Sequence, residues 1–146
     1  MTHMREAQTP KTPIRALVVD DEECVRMFVD RVLREAGYQT LTAKDGPSAR
    51  DLVEQTGPPH ILVTDELMPE MSGHDLVRWV RGRHPSVKVL YLTGYSDRLF
   101  DAKESLWQDE AFLDKPCSVR GLLQAVSLLL FKQLQVGLTS RLSPTP

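Results

Sequence analysis

Several apolar runs in this sequence end on a group that can hold or attack an ion. "IRALVVD", from Ile14 to Asp20, opens into the acids "DDEE" at Asp20 to Glu23. "HILVT" runs straight into Asp65, "VKVLYLT" closes on Thr93, and "AFLD" is followed by Lys115 and Pro116. An acid at the end of one run ordinarily caps a turn or a helix. Acids from different runs brought to one place repel and raise one another's proton affinity, so their clustering makes sense only with a cation among them. Hard oxygen ligands with open positions suit Mg²⁺.

What must position these groups is an alternation of strands and helices. The β-branched run ending at Asp20 reads as a strand buried on both faces. "ECVRMFVDRVLREAG" then sets Val25, Phe28, Val29, Val32, Leu33 and Ala36 at helical spacing, with Gly37 at the C-terminal cap. "YQTLTA" is a second strand, and a helix starting near Pro47 stops at Gly57. "HILVT" is the third strand, and Ser72 caps a helix with Leu76, Val77 and Val80 on its inner face. "VKVLYLT" and "AFLD" are the fourth and fifth strands, and Ser118 caps a final helix written over "SVRGLLQAVSLLLFKQLQ". Between the last two strands, Tyr95 to Gln108 has the length of a further helix with a charged face. Five such units predict an α/β fold, a parallel sheet covered by helices on both faces with right-handed crossovers. Ligands of such sheets sit beyond the carboxyl ends of the strands, which is where Asp20, Asp21, Asp65, Thr93 and Lys115 fall.

Composition narrows the function classes. The 146 residues are 41% hydrophobic and 26% charged, fitting one domain with a single core. A net charge of -2 offers no electrostatic footprint for nucleic acid. The longest apolar run, "LLLF", is far short of the roughly 20 residues of a membrane span. Cys24 and Cys117 lack metal-ligand spacing, which predicts a reduced, cytoplasmic protein. His60, His74 and His84 read as surface or helix-end residues.

The acidic pair Asp20 and Asp21, the block "DELMPEMSG" holding Asp65, "LTG" with Thr93 and "FLDKP" with Lys115 together resemble the response-regulator receiver domain, the phosphoacceptor module of two-component signalling. The resemblance covers about Ile14 to Leu130. It implies a doubly wound, flavodoxin-like five-stranded parallel sheet of order 2-1-3-4-5. It also implies that Asp65 accepts a phosphoryl group and that Asp21, Asp65 and the backbone carbonyl of Leu67 hold Mg²⁺, with Asp20 binding it through water. Lys115 and Thr93 then bind phosphoryl oxygens, the Lys115-Pro116 peptide is cis, and Thr93 and Phe112 form the switch. By the same resemblance Leu67 and Tyr95 flank the approach of hydrolytic water and so modulate phosphate lifetime.

Three positions depart from the family's common pattern: Phe112 replaces a frequent Tyr, Glu110 a Gly and Cys117 a Phe. The lost hydroxyl at Phe112 makes the switch one of shape and burial, and Cys117 reads as a small buried filler. The implied domain organisation is a disordered leader at 1–13, a receiver at 14–131, and the end of the last helix with a tail at 132–146. Implied partners are a histidine kinase or phosphotransfer protein, and a target protein or second copy. The latter would meet the face formed by Tyr95 to Gln108, Phe112 and the final helix, with Leu99, Phe100, Leu106 and Trp107 as anchors. The activity expected is Mg²⁺-dependent self-phosphorylation with slow autodephosphorylation rather than enzymatic turnover of a substrate. A degenerate receiver acting as a phosphorylation-independent binding module is the alternative, which the presence of all five active-site positions opposes. A dehalogenase-type phosphatase would carry its acids on one strand end. An electron carrier of flavodoxin type would be repelled at "DDEE" by its cofactor phosphate.

Overall fold

The structure is a computed structural model that describes residues 13–94 and 109–131. Along the chain it forms β1 (Arg15–Val19), α1 (Glu23–Glu35), β2 (Gln39–Ala43), α2 (Gly46–Thr56), β3 (Ile61–Asp65), α3 (Gly73–Arg83), β4 (Lys88–Thr93), β5 (Glu110–Asp114) and α4 (Val119–Leu130). The strands make one sheet in the order β2-β1-β3-β4-β5, and every neighbouring pair is parallel. Because side chains alternate along a strand, each face collects its own core. Leu17, Val19, Leu62, Val89 and Tyr91 meet α2 and α3 on one face. Ala16, Val18, Ile61, Val63, Leu90 and Leu92 meet α1 and α4 on the other. This two-sided burial explains why β1, β3 and β4 read as continuous apolar runs. The edge strand β2 is mostly exposed.

Local signals set the helix ends. The Asp45 carboxylate accepts from Ser48 N at 2.8 Å, Ser72 Oγ from Asp75 N at 3.1 Å, and Ser118 Oγ from Gly121 N at 2.9 Å. Each bond satisfies a backbone donor that the first helical turn leaves open. Gly37 follows α1 with φ +101°, the left-handed conformation that a terminating glycine adopts without a Cβ clash.

The structure corrects some details. Phe28 is on the helical spacing of the apolar stripe but lies at its margin and is 37% exposed. Ala36 ends α1 as an exposed cap. Cys117 is half-buried, and His74 is half-buried with its ring edge-on to the buried Tyr91, centroids 5.5 Å apart. The region from Tyr95 to Gln108, with its anchors Leu99, Phe100, Leu106 and Trp107, and the extension of the final helix beyond Phe131 lie outside the described residues. Among the described residues, no helix is long and apolar enough to cross a membrane.

Glu110, the residue that replaces a common glycine, begins β5 with its carboxylate fully buried, 3.3 Å from the Arg81 guanidinium on α3. Removing one member of such a pair leaves a charge in a poorly solvating interior. Arg81→Met should therefore destabilise the protein by about 2–4 kcal/mol in urea unfolding. A loss below about 0.5 kcal/mol would mean that the pair is screened as a surface pair is.

Candidate functional site

The order of the sheet reverses between β1 and β3, since the chain leaves β1 for β2 on one side and later returns to β3 on the other. The crevice beyond this switch point is where an open α/β sheet leaves room for a ligand. Val19 lies in register with Thr64, so the next residues, Asp20 and Asp65, project beside each other at the crevice. Carboxylate oxygens of Asp20, Asp21 and Asp65 all lie within 4.8 Å of one another. Asp20 and Asp65 are buried, whereas Asp21 opens to solvent.

Lys115 reaches this cluster from the end of β5. Its Nζ lies 3.0 Å from Asp20 Oδ2, 3.1 Å from Glu22 Oε1 and 3.4 Å from Asp65 Oδ2. The cis Lys115-Pro116 peptide follows directly, and Lys115 N donates to Thr93 O at 3.0 Å, so the end of β5 is clamped to the end of β4. Thr93 is fully buried at that same edge. Asp20 Oδ1 accepts from Glu22 N at 2.9 Å, and Arg26 donates to Asp20 O at 2.7 Å, which holds the acidic loop against the first turns of α1.

Charge sets the chemistry of the crevice. Burial chiefly, helped by the neighbouring Asp20, raises the Asp65 carboxyl to about 6, while Lys115 pulls the other way. Asp20 is likewise raised, mainly by burial. For Lys115, burial favours loss of its proton, but the adjacent acids, Asp20 and then Glu22, outweigh it and hold the ammonium above its ordinary range. The buried Asp20 Oδ2 has no hydrogen-bond donor aligned on it, and the ammonium offsets its charge in ionic contact only. Two buried acids with raised proton affinity, a third acid open to solvent and an unsatisfied carboxylate oxygen fit a divalent cation with oxygen ligands. Mg²⁺ at ten times its dissociation constant should raise stability by about 1.4 kcal/mol. Thermal melts with and without the ion check this, and an unchanged melt at saturating Mg²⁺ would count against a cation site.

The loop after Asp65 is held by a close approach. Gly73 opens α3 against the end of β3, and its N–H donates to Glu66 O at 2.8 Å. Within the loop, Glu70 adopts φ +69°. Leu67 is half-buried in this loop. Phe112 lies in register with Tyr91 and packs, half-buried, on the core shared with α2 and α3. Tyr95 lies outside the described residues, so the expected pairing of Leu67 with Tyr95 does too.

The structure therefore gathers Asp20, Asp21, Asp65 and Lys115 in one cluster, sets Thr93 at its edge, and places Phe112 one strand away. Sequence reasoning passed over Glu22, which pairs with Lys115, and Glu66, which is buried beside Asp65. Glu22 stood in view within "DDEE". Nothing in the local pattern marked Glu66 as buried.

Comparison with known proteins gives the chain's family and fold. The family model described as the response regulator receiver domain matches residues 16–127. The chain belongs to this family, whose members are the receiver domains of two-component signalling. It is 36% identical over 118 residues to the sensor kinase CckA of Brucella abortus (strain 2308), covering 80% of this chain but only 12% of the kinase. Against the response regulator receiver protein CpdR of the same organism it is 29% identical, covering 80% of this chain and 96% of that protein. Among solved structures, the receiver domain of the hybrid histidine kinase CckA superposes with a TM-score of 0.68 at 32% identity, covering 80% of this chain and 98% of that one. The chemotaxis protein CheY4 of Vibrio cholerae gives 0.70 at 26%, covering 82% and 100%, and shares the flavodoxin-like fold.

Proposed function

We propose that this receiver is the phosphoacceptor of a two-component phosphorelay, working in the cytoplasm and taking a phosphoryl group on Asp65. The observation that carries this reading is the convergence of Asp20, Asp21, Asp65 and Lys115 on one edge of the sheet. An Oδ atom of Asp65 attacks phosphorus in line with the leaving nitrogen of a phosphohistidine or the leaving group of a small phosphodonor. The new O–P bond forms as the P–N bond breaks, and its electron pair returns to the imidazole. Mg²⁺, held by Asp20, Asp21, Asp65 and the Leu67 carbonyl, would neutralise charge on the phosphoryl oxygens. Lys115 exchanges its contact with Asp65 for a phosphoryl oxygen, and Thr93 donates its hydroxyl to another. Lysine suits this exchange because its ammonium is a compact point charge on a flexible stem.

Output follows from the same groups. As Thr93 moves toward the new charge it vacates space, and Phe112, half-buried over the neighbouring core, turns inward. The surface around Phe112 and the final helix then differs between the two states and meets a target protein or a second copy. The likeness to a sensor kinase and to a response regulator supports a histidine kinase or phosphotransfer protein as the donor. No turnover of a separate substrate is required, since the phosphoryl group is eventually lost to water.

The test is intact-mass measurement after incubation with phosphoramidate and Mg²⁺. The wild type should gain the mass of one phosphoryl group. Lys115→Ala should still bind Mg²⁺, accept phosphate more slowly, and show a much smaller change in amide exchange around Phe112 with beryllofluoride. Absence of any phosphoryl adduct on the wild type, with either phosphoramidate or acetyl phosphate, would overturn the reading.

A further inference from the structure

The reaction proposed above uses Asp20, Asp21, Asp65 and Lys115 and leaves Glu22 without a task, yet Glu22 makes the best-directed contact that Lys115 has. Of the three acids within 3.4 Å of the ammonium, only Glu22 is aligned as a hydrogen-bond acceptor, with Lys115 Nζ donating to Oε1 at 3.1 Å. Asp20 and Asp65 are met in ionic contact. Local structure aims Glu22 at this partner. It is the cap residue of α1, with extended backbone at φ -89° and ψ 115°, and its side chain makes no capping bond. Its N–H donates to Asp20 Oδ1 at 2.9 Å and its carbonyl accepts from Arg26 N at 3.0 Å, so its backbone is tied to the acidic loop and to the first turn of α1. The side chain then crosses to Lys115 at the end of β5. The two partners differ in burial, the Glu22 side chain being 63% exposed and that of Lys115 16%. Water screens an exposed acid and solvates it again when the contact opens, so such a pair adds little stability and is readily broken.

We propose that Glu22 is a positioning residue, which holds Lys115 while Asp65 is bare and competes with the phosphoryl oxygens for its ammonium, so that Glu22 sets how tightly the phosphoryl group is held. This role rests on the phosphoacceptor reading, in which Lys115 turns to a phosphoryl oxygen. The ammonium has three N–H bonds to direct and already faces three acids, so an arriving oxygen gains a donor only as an acid loses one. Asp20 and Asp65 are buried at the ends of neighbouring strands. Glu22, in contact with water, is the acid whose release costs least. Glu22→Gln keeps the length of the side chain and removes its charge, and a neutral amide oxygen accepts a hydrogen bond of roughly half the strength. The competition is thereby weakened in favour of the phosphoryl group.

The probe is beryllofluoride, which takes the place of the phosphoryl group on Asp65, titrated calorimetrically into the full chain at saturating Mg²⁺. Glu22→Gln should bind it about 5-fold more tightly than the wild type, the scale of an exposed ion pair. Glu23→Gln removes the same charge one position on, from an exposed acid in the first turn of α1, and should change the affinity by less than about 2-fold. In a Lys115→Ala background the gain from Glu22→Gln should vanish, because Glu22 acts through the ammonium. The contact itself is read without Mg²⁺ or beryllofluoride, from the nuclear magnetic resonance of Lys115 Nζ, which should shift in Glu22→Gln and stay in place in Glu23→Gln. Four results would each overturn the role of Glu22 alone: an affinity unchanged or weakened in Glu22→Gln, an equal gain in Glu23→Gln, a gain that persists without Lys115, or a Lys115 resonance indifferent to Glu22. A wild type that binds no beryllofluoride and takes up no phosphoryl group would overturn the phosphoacceptor reading, and this role with it, even where the Lys115 resonance reports the contact.

Discussion

Asp65→Asn should fold, gain stability at neutral pH and take up no phosphoryl group. The amide keeps the volume and the hydrogen-bonding reach of the carboxylate but lacks the nucleophilic oxygen, so uptake falls to background. The stability gain has a definite sign. Burial and the Asp20 charge raise the Asp65 carboxyl from 3.8 to about 6 in the folded protein. Between these values the folded state holds a proton that the unfolded state has lost, so stability falls as pH rises through that window. Above about 6 the whole cost of an ionised Asp65 is present, roughly 1–3 kcal/mol after allowance for screening at the crevice. Below 3.8 both states are protonated and the cost is absent. Urea unfolding of wild type and Asp65→Asn without Mg²⁺ should therefore diverge at pH 7.5 and converge near pH 4. A wild type as stable as the variant at pH 7.5 would mean that Lys115 fully compensates the buried charge. An equal phosphoryl adduct on the variant would move the acceptor elsewhere.

Gly73→Ala should be among the most damaging single methyl additions the chain can receive. A Cβ at this position would stand 2.1 Å from Asp65 O and 3.1 Å from Asp65 C and Glu66 Cα, all backbone atoms. Asp65 closes β3, which is paired on both sides, so the carbonyl cannot retreat without disturbing the sheet. Overpacking against such fixed atoms costs about 3 kcal/mol or more, and here the displaced residue is the acceptor. Both stability and phosphoryl uptake should fall. Gly82 supplies the control. It lies in the same helix, and its Cβ would meet nothing within 4 Å. Gly82→Ala should be neutral or stabilising by about 0.5–1 kcal/mol. Similar stabilities for the two alanine variants in urea would refute the close-approach argument.

The order of elements was legible because it is written locally. Runs such as "ALVV" and "ILVT" are buried on both faces and so must be apolar throughout, while the helices need only one apolar stripe. Caps at Asp45, Ser72 and Ser118 depend on contacts three residues away, and Ser72 and Ser118 were readable for that reason. The acids and the lysine were legible as groups ending strands, and an open parallel sheet sends its strand ends to one edge.

The contacts between those groups were decided only by the tertiary structure. Lys115 meets Glu22 across 93 residues of sequence, and Arg81 meets Glu110 across 29. Such pairings follow from strand register and from the rotation of helices on the sheet. Phe28 shows the limit well, because spacing sets the stripe to which it belongs and packing decides that it lies at the margin. Sequence by itself determined which residues are carried to the edge of the sheet, since side-chain period and strand polarity are local properties. Which charges neutralise one another there was decided by the packed fold, because those energies depend on distances of a few ångströms between segments far apart in the chain.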